Sequence, residues 1–216
     1  MNTPSPVNIP PGLVERAKAI IMKPKEEWPV IATEEASIAS LFTRYAMWLA
    51  AIPAIATFVR AIVFGYGSLF GVTFRPSIGS ALGMALGQYI MALASVAILG
   101  LIVDFLAPKF DGTSNRVQAF KLAIYSATAG WLAGAFSAVP GIEILSILGL
   151  YAFYLFYLGA PVLMKVPEDK SVLFTIVVVV IAIIVGAILS AIAGPGSGLF
   201  QPHVPVPGAD GMMIGG

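Results

Sequence analysis

Five apolar stretches dominate this chain, and each is long enough to cross a lipid bilayer. They cover residues 42–64, 78–107, 119–139, 142–164 and 171–193. A helix of about 20 apolar residues spans the hydrocarbon core. Within that core, a backbone satisfies its hydrogen bonds only in helices or closed barrels. We therefore predict an all-α integral membrane protein built as a bundle of five transmembrane helices.

The positions of lysine and arginine orient this bundle. Threading the chain through five crossings places ten of its 12 basic residues on one side of the membrane, while Arg60 and Arg75 fall on the other. The ten are Arg16, Lys18, Lys23, Lys25, Arg44, Lys109, Arg116, Lys121, Lys165 and Lys170. An excess of Lys and Arg in short flanking loops marks the cytoplasmic side. We predict a multi-pass protein of the cell (inner) membrane, with a cytoplasmic N-terminus and the C-terminus on the opposite face.

The segments around the apolar stretches divide the chain further. Residues 1–12 are polar and rich in proline, which predicts a disordered N-terminus. Residues 13–193 form the membrane domain, and its first ten residues have the helical periodicity of a short amphipathic helix on the cytoplasmic face. Residues 65–77 form an aromatic, glycine-rich outer loop with an interfacial or re-entrant path. Residues 194–216 are rich in Gly and Pro, which predicts a flexible tail.

The composition argues against several classes of activity. The chain has no cysteine, which excludes disulfides, thiolate nucleophiles and cysteine-based metal sites. Its one histidine, His203, lies in the tail and cannot complete a Ser–His pair or an HExxH helix within the membrane domain. A net charge of +1 argues against nucleic acid as a partner. We predict that the protein is not an enzyme and has no cofactor or metal.

Polar residues in the apolar stretches lie mostly near their ends. Asp104 and Lys121 fall on the cytoplasmic side, which would allow an ion pair between them, while Arg60 and Glu143 fall on the outer side. A proton or ion relay needs charge near the midplane, and the stretches place none there. Gln88 is the strongly polar side chain deepest in the second stretch, and we predict that it makes an interhelical hydrogen bond.

Small residues recur at every fourth position in the second and third stretches. They are Gly79, Gly83 and Gly87, followed by Ser126, Gly130 and Gly134. Such stripes let helix backbones approach closely in lipid, where packing drives helix association. Packing within the chain is the simpler interpretation, and a homo-oligomer interface is the alternative.

Several motifs resemble those of a known family. They are LVERAKAI at 13–20, KPKEEW at 23–28, FKLAIYS at 120–126 and YLFYLGAPVLMKVPEDK at 154–170. Together they resemble bacterial membrane proteins of the YIP family (Ypt/Rab-interacting proteins), over about residues 13–193. The resemblance implies a five-span fold with a cytoplasmic N-terminus. For eukaryotic relatives it also implies binding of prenylated Rab-type GTPases, but this sequence lacks the Tyr-Gly-Pro type motif that those relatives carry.

The leading functional hypothesis is a non-enzymatic membrane scaffold or adaptor. Its cytoplasmic surface would bind an unknown partner protein or anionic lipid headgroups, which attract each Lys or Arg by ~1 kcal/mol. The candidate residues are Arg16, Lys18, Lys23, Lys25, Trp28, Lys121, Lys165, Pro167, Glu168, Asp169 and Lys170. Trp28 is placed to anchor at headgroup level. A small-solute or ion transporter or channel subunit, lined by the second and third stretches, is the alternative.

Overall fold

The computed structural model describes residues 12–67 and 73–193, and most of them are helical. The helices are α1 (Leu13–Met22), α2 (Pro24–Thr33), α3 (Ile38–Phe64), α4 (Ile78–Phe110), α5 (Arg116–Ala133), α6 (Glu143–Met164) and α7 (Glu168–Ala193). The predicted disordered N-terminus (apart from Gly12), the predicted flexible tail and residues 68–72 of the outer loop lie outside the described residues.

Four of these helices are long and apolar enough to cross a membrane, namely α3, α4, α6 and the first 22 residues of α7. Their bounds lie close to four of the predicted apolar stretches, so the prediction of an all-α membrane protein is confirmed to that extent. In the described part of the outer loop, β1 (Tyr66–Gly67) and β2 (Thr73–Phe74) form a two-residue antiparallel pair. This pair closes the connection between α3 and α4.

Helix α5, the remaining predicted span, lies at the centre of the bundle and packs against α3, α4 and α6. Every residue from Ala119 to Ser126 is buried, so protein surrounds the helix on all sides. A helix that is shielded in this way does not need the apolar surface of a lipid-facing one. This explains why α5 is not among the four helices above, and its role as a fifth span stays a prediction.

Helix α7 has the opposite environment. Only 17% of its most apolar window is buried inside the protein. The buried side chains include Phe174 and Val178, and Phe174 stacks on Phe156 of α6 with 5.9 Å between ring centroids. The rest of the helix presents an apolar surface of the kind that lipid covers.

Helices α1 and α2 form a hairpin, here called the cap, which packs across one end of α5 and α6. Lys23 alone separates the two helices, and Pro24 begins the second. Proline suits the first position of a helix because its missing N–H would have no intrahelical partner there. The cap buries Ala17, Ile20 and Ile31 against the bundle.

The small residues of α5 lie where its neighbours come close. A Cβ atom added at Gly134, just beyond the end of α5, would lie 2.7 Å from the Cβ atom of Pro53 in α3. A Cβ atom at Gly149 in α6 would lie 3.3 Å from the Cα atom of Gly130. Ser126 is buried. These positions fit packing within the chain, where small side chains bring helices together.

The small residues of α4 are placed differently. A Cβ atom added at Gly83 would meet no atom within 4 Å, and one added at Gly79 would meet only the Oγ atom of Ser77, at 4.0 Å. Gly87 is buried. The first turns of this stripe therefore face outward from the described chain, and the homo-oligomer interface stays a prediction.

Candidate functional site

The cap is joined internally by a buried arginine with two carboxylates. The guanidinium of Arg16 on α1 donates to Glu27 of α2 and to Glu34, which directly follows α2. Arg16 is 2% exposed. A buried charge is tolerated only when it is paired and hydrogen-bonded, so these two contacts are what permit an arginine at this position.

Lys121 ties the cap to the central helix. Its Nζ atom donates to the backbone oxygen of Ile31 at 2.8 Å and to that of Glu34 at 2.5 Å. The last carbonyls of a helix lack intrahelical donors, and they carry the negative end of the helix dipole. Because α2 ends at Thr33, it offers such acceptors at the point where Lys121 reaches it.

Two tyrosines extend this polar region into the bundle. The guanidinium of Arg16 lies 5.7 Å from the ring centroid of Tyr125, and that ring meets the ring of Tyr45 edge-on at 4.7 Å. The hydroxyls of Tyr45 and Thr128 lie 2.9 Å apart and share a hydrogen bond. The tyrosine rings thus cover the charged groups from below, on the side of the membrane helices.

We call Arg16, Glu27, Glu34 and Lys121 the ionic cluster. It contains two cations and two anions, so its formal charge balances. Sequence reasoning missed Glu27 and Glu34. Glu34 lies beyond the end of α2 in an extended conformation, so helical periodicity gave no signal that would pair it with Glu27. The arrangement fixes the cap to the bundle through charge pairing and helix-terminal carbonyls.

Burial corrects the predicted interaction surface at three of its eleven residues. Arg16, Trp28 and Lys121 are 2%, 0% and 1% exposed, so none of them can present its side chain to a partner or to lipid headgroups. The first and third belong to the ionic cluster. Trp28 does not anchor at headgroup level, because its indole packs inward against α6.

The other predicted surface residues remain accessible. Lys18, Lys23, Lys25, Lys165, Glu168 and Asp169 are exposed, and Pro167 and Lys170 are half-buried. Lys170 forms an ion pair with Asp111 in the connection between α4 and α5. Lys23 pairs with Glu26 at 3.3 Å on the outer side of the cap. The binding role of these eight residues stays a prediction.

Trp28 is the largest buried side chain of the cap, and a glycine on α6 makes room for it. A Cβ atom added at Gly159 would lie 2.7 Å from Cε2 of Trp28 and 2.6 Å from Cδ1 of Leu122. The Nε1 atom of Trp28 finds no hydrogen-bond partner among residues 12–67 and 73–193. The indole therefore supplies packing while its polar atom stays unsatisfied within the described chain.

The prediction for Asp104 is wrong, and the prediction for Gln88 is confirmed. The suggested Asp104–Lys121 ion pair is wrong, because Lys121 turns toward the cap. Asp104 instead accepts a hydrogen bond from Ser114 at 2.7 Å and forms an ion pair with Arg116 at 3.5 Å. The interhelical hydrogen bond of Gln88 is confirmed, since its Oε1 atom accepts from Thr57 of α3.

On the far side of the bundle, Arg60 pairs with Glu143 and also donates to the backbone oxygen of Ser137 at 3.3 Å. Tyr66 stacks under the guanidinium at 5.6 Å. Within the described residues, no group of three or more His, Asp or Glu side chains is placed to hold a metal ion.

Comparison with known proteins gives a consistent picture. A family model described as the Yip1 domain matches residues 18–190 of the chain. Two curated relatives, both described as inner membrane protein YohC, come from Escherichia coli strain K12 and Escherichia coli O6:H1 strain CFT073. Each is 26% identical over 173 residues, which cover 78% of this chain and 89% of the relative. No solved structure matches the chain.

Proposed function

The chain belongs to the Yip1 domain family of membrane proteins, and from that membership and its cap we propose that it is a non-enzymatic membrane scaffold. It works in the cell (inner) membrane without cofactor or nucleic acid. It crosses the membrane five times, with its N-terminus in the cytoplasm and its C-terminus on the opposite face. Its cytoplasmic face binds a partner protein or anionic lipid headgroups. The positions of its basic residues support this orientation.

The observation that carries the proposal is the attachment of the cap. The ionic cluster joins α1, α2 and α5, so the cap is an ordered surface attached to the bundle. Lys18 and Lys23 project from its outer side and are exposed. A basic surface that is already ordered loses less conformational entropy when a partner binds. Anionic lipid headgroups would add ~1 kcal/mol for each of these cations.

Topology is tested directly because the chain has no native cysteine. Single variants Lys18→Cys and Arg75→Cys place one exposed thiol on each proposed side. A membrane-impermeant maleimide should label position 75 in intact cells and position 18 only after lysis. Labelling of both positions in intact cells would overturn the proposed orientation.

Partner binding is tested by reversing charge on the cap. A photo-crosslinking residue at Val14, which is 73% exposed, should capture the partner in native membranes. Lys18→Glu combined with Lys23→Glu should abolish that capture, while Arg75→Glu on the opposite face should leave it unchanged. Capture and lipid preference that both survive the double reversal would refute the scaffold proposal.

Transport remains the competing function, with Gln88 and Asp104 as its candidate polar groups. Both are engaged within the chain, by Thr57 and by Ser114 respectively. Flux through reconstituted liposomes separates the two functions. A solute or ion current that is abolished by Gln88→Leu or Asp104→Asn would favour transport, and an inert bundle that still captures its partner would favour the scaffold.

A further inference from the structure

A groove of about 280 Å³ opens beside the cap, between α2, α6 and the start of α7. Its walls are partly polar and partly apolar. Lys25 contributes from α2, Leu158 and Val162 from α6, and Glu168 from the first turn of α7. This combination differs from the purely apolar surfaces along the membrane helices.

The groove carries one cation and one anion whose charges are not used elsewhere in the described chain. Lys25 and Glu168 are both exposed. Neither forms an ion pair with any residue in 12–67 or 73–193. Lys23, by contrast, is paired with Glu26. An occupant that carries both signs of charge would complement the groove, whereas an occupant with one sign would meet a like charge.

The wall of the groove also holds a backbone carbonyl that lacks its helical hydrogen-bond donor. Pro161 lies within α6 and lines the groove with Tyr157. Because proline has no N–H, the carbonyl of Tyr157 loses the donor that another residue at 161 would supply. That carbonyl is therefore open to a donor brought by an occupant of the groove.

We propose that this groove binds the headgroup of a zwitterionic phospholipid of the phosphoethanolamine type. Its phosphate complements the cation of Lys25. Its ammonium is a donor and a cation, which complements the Tyr157 carbonyl and Glu168. The acyl chains follow the apolar wall at Leu158 toward the bilayer. This inference rests on the proposed membrane position of the cap.

The charge pattern distinguishes this lipid from an anionic one. Phosphatidylglycerol offers a phosphate without an ammonium, so Glu168 would face it unneutralised. The opposite signs in one groove therefore predict selection for phosphatidylethanolamine, even though the outer side of the cap is basic. The two lipid sites are separate, since Lys18 and Lys23 do not line the groove.

Native mass spectrometry of the full chain tests this inference. Protein is delipidated in mild detergent and given phosphatidylethanolamine or phosphatidylglycerol with the same acyl chains. We expect one retained phosphatidylethanolamine, with about tenfold preference over phosphatidylglycerol, the scale of one charge-assisted hydrogen bond. Lys25→Gln and Glu168→Gln should each weaken retention by about tenfold. Lys18→Gln, which changes an exposed cation outside the groove, should have no effect.

Three results would overturn the inference. The first is equal retention of the two lipids by the unaltered protein. The second is a Lys25→Gln variant that retains lipid as well as Lys18→Gln does. The third is displacement by soluble glycerophosphoethanolamine at the same concentration as the lipid, which would make the headgroup alone the ligand. Each can occur while the double reversal of Lys18 and Lys23 still abolishes partner capture, so failure here is distinguishable from failure of the scaffold.

Discussion

Replacing Arg16 with methionine removes the cation that joins the two helices of the cap. The Arg16 side chain is 3% exposed, and those of its partners Glu27 and Glu34 are 14% and 8% exposed. Methionine is flexible enough to fill much of the same space, but it donates no hydrogen bond. Two carboxylates would then remain in surroundings that are largely closed to water.

The expected cost follows from this burial. Removing one partner of a buried ion pair costs about 3–5 kcal/mol, because the remaining charge is left uncompensated. Glu27 retains some exposure, so we expect about 3 kcal/mol, near the low end of that range. Losing the cation–π contact of Arg16 with Tyr125, at 5.7 Å, adds about 0.5–1 kcal/mol. The local free energy of opening the cap should therefore fall by roughly 3–4 kcal/mol, a factor of several hundred in the opening equilibrium.

Amide hydrogen exchange followed by mass spectrometry, on protein in nanodiscs, measures that opening. Protection of α1 and α2 should drop by two orders of magnitude or more, as far as the native protection allows, while the amides of α7 stay unchanged. Lys23→Met is the matched control in the same hairpin. Its ion pair with Glu26 has side chains 68% and 73% exposed, so its effect should stay below about 1 kcal/mol.

A compensated variant separates charge from packing. Arg16→Met combined with Glu27→Gln removes one cation and one carboxylate, so the ionic cluster keeps the balanced charges of Lys121 and Glu34. Replacing buried charges in balanced numbers is often close to neutral, since no net charge is left uncompensated. Protection should largely return. If the double variant opens as readily as Arg16→Met, or if Arg16→Met behaves like Lys23→Met, charge pairing does not hold the cap.

Three further perturbations follow from the packing. Gly159→Ala places a Cβ atom 2.7 Å from Trp28 and should lower the free energy of unfolding by about 1–3 kcal/mol, measured by thermal denaturation in detergent. Gly83→Ala is the control, because its Cβ atom would meet no atom within 4 Å, and it should not destabilise the protein. Lys121→Met leaves the buried carbonyl of Ile31 and the partly buried carbonyl of Glu34 without their donor. It should cost about 1–3 kcal/mol, seen as faster proteolysis between α2 and α3, and an unchanged rate would contradict the role of Lys121. Gln88→Leu should change the free energy of unfolding by less than about 1.7 kcal/mol, the upper end for hydrogen bonds between membrane helices. A larger loss would show that Gln88 does more than make one local hydrogen bond with Thr57.

The membrane helices could be predicted because the bilayer imposes a local requirement. Crossing the hydrocarbon core needs a segment that is both long enough and apolar, and its length and its apolar character are both visible in a window of consecutive residues. Four helices in the described part of the chain meet that requirement. The family motifs were visible for a similar reason, since each is a short run of sequence.

The candidate site could be predicted only in part. Counting basic residues identified which end of the bundle is charged but could not separate buried cations from exposed ones. Arg16 and Lys18 are two positions apart, yet the first is buried and the second exposed. The assignment of Arg16 to the interaction surface was wrong because an arginine can lie inside once carboxylates reach it. Those carboxylates come from 11 and 18 positions further along the chain.

The sequence by itself determined that this chain forms apolar helices for a membrane, and its motifs and family match assigned it to the Yip1 domain family. The tertiary structure decided which charges belong to the interior. Lys121 is buried because carbonyls 90 and 87 positions away lie within hydrogen-bond distance of its Nζ atom. Whether a charge can be buried depends on partners that only folding brings together. Local composition sets where helices form, and distant contacts set what their polar residues do.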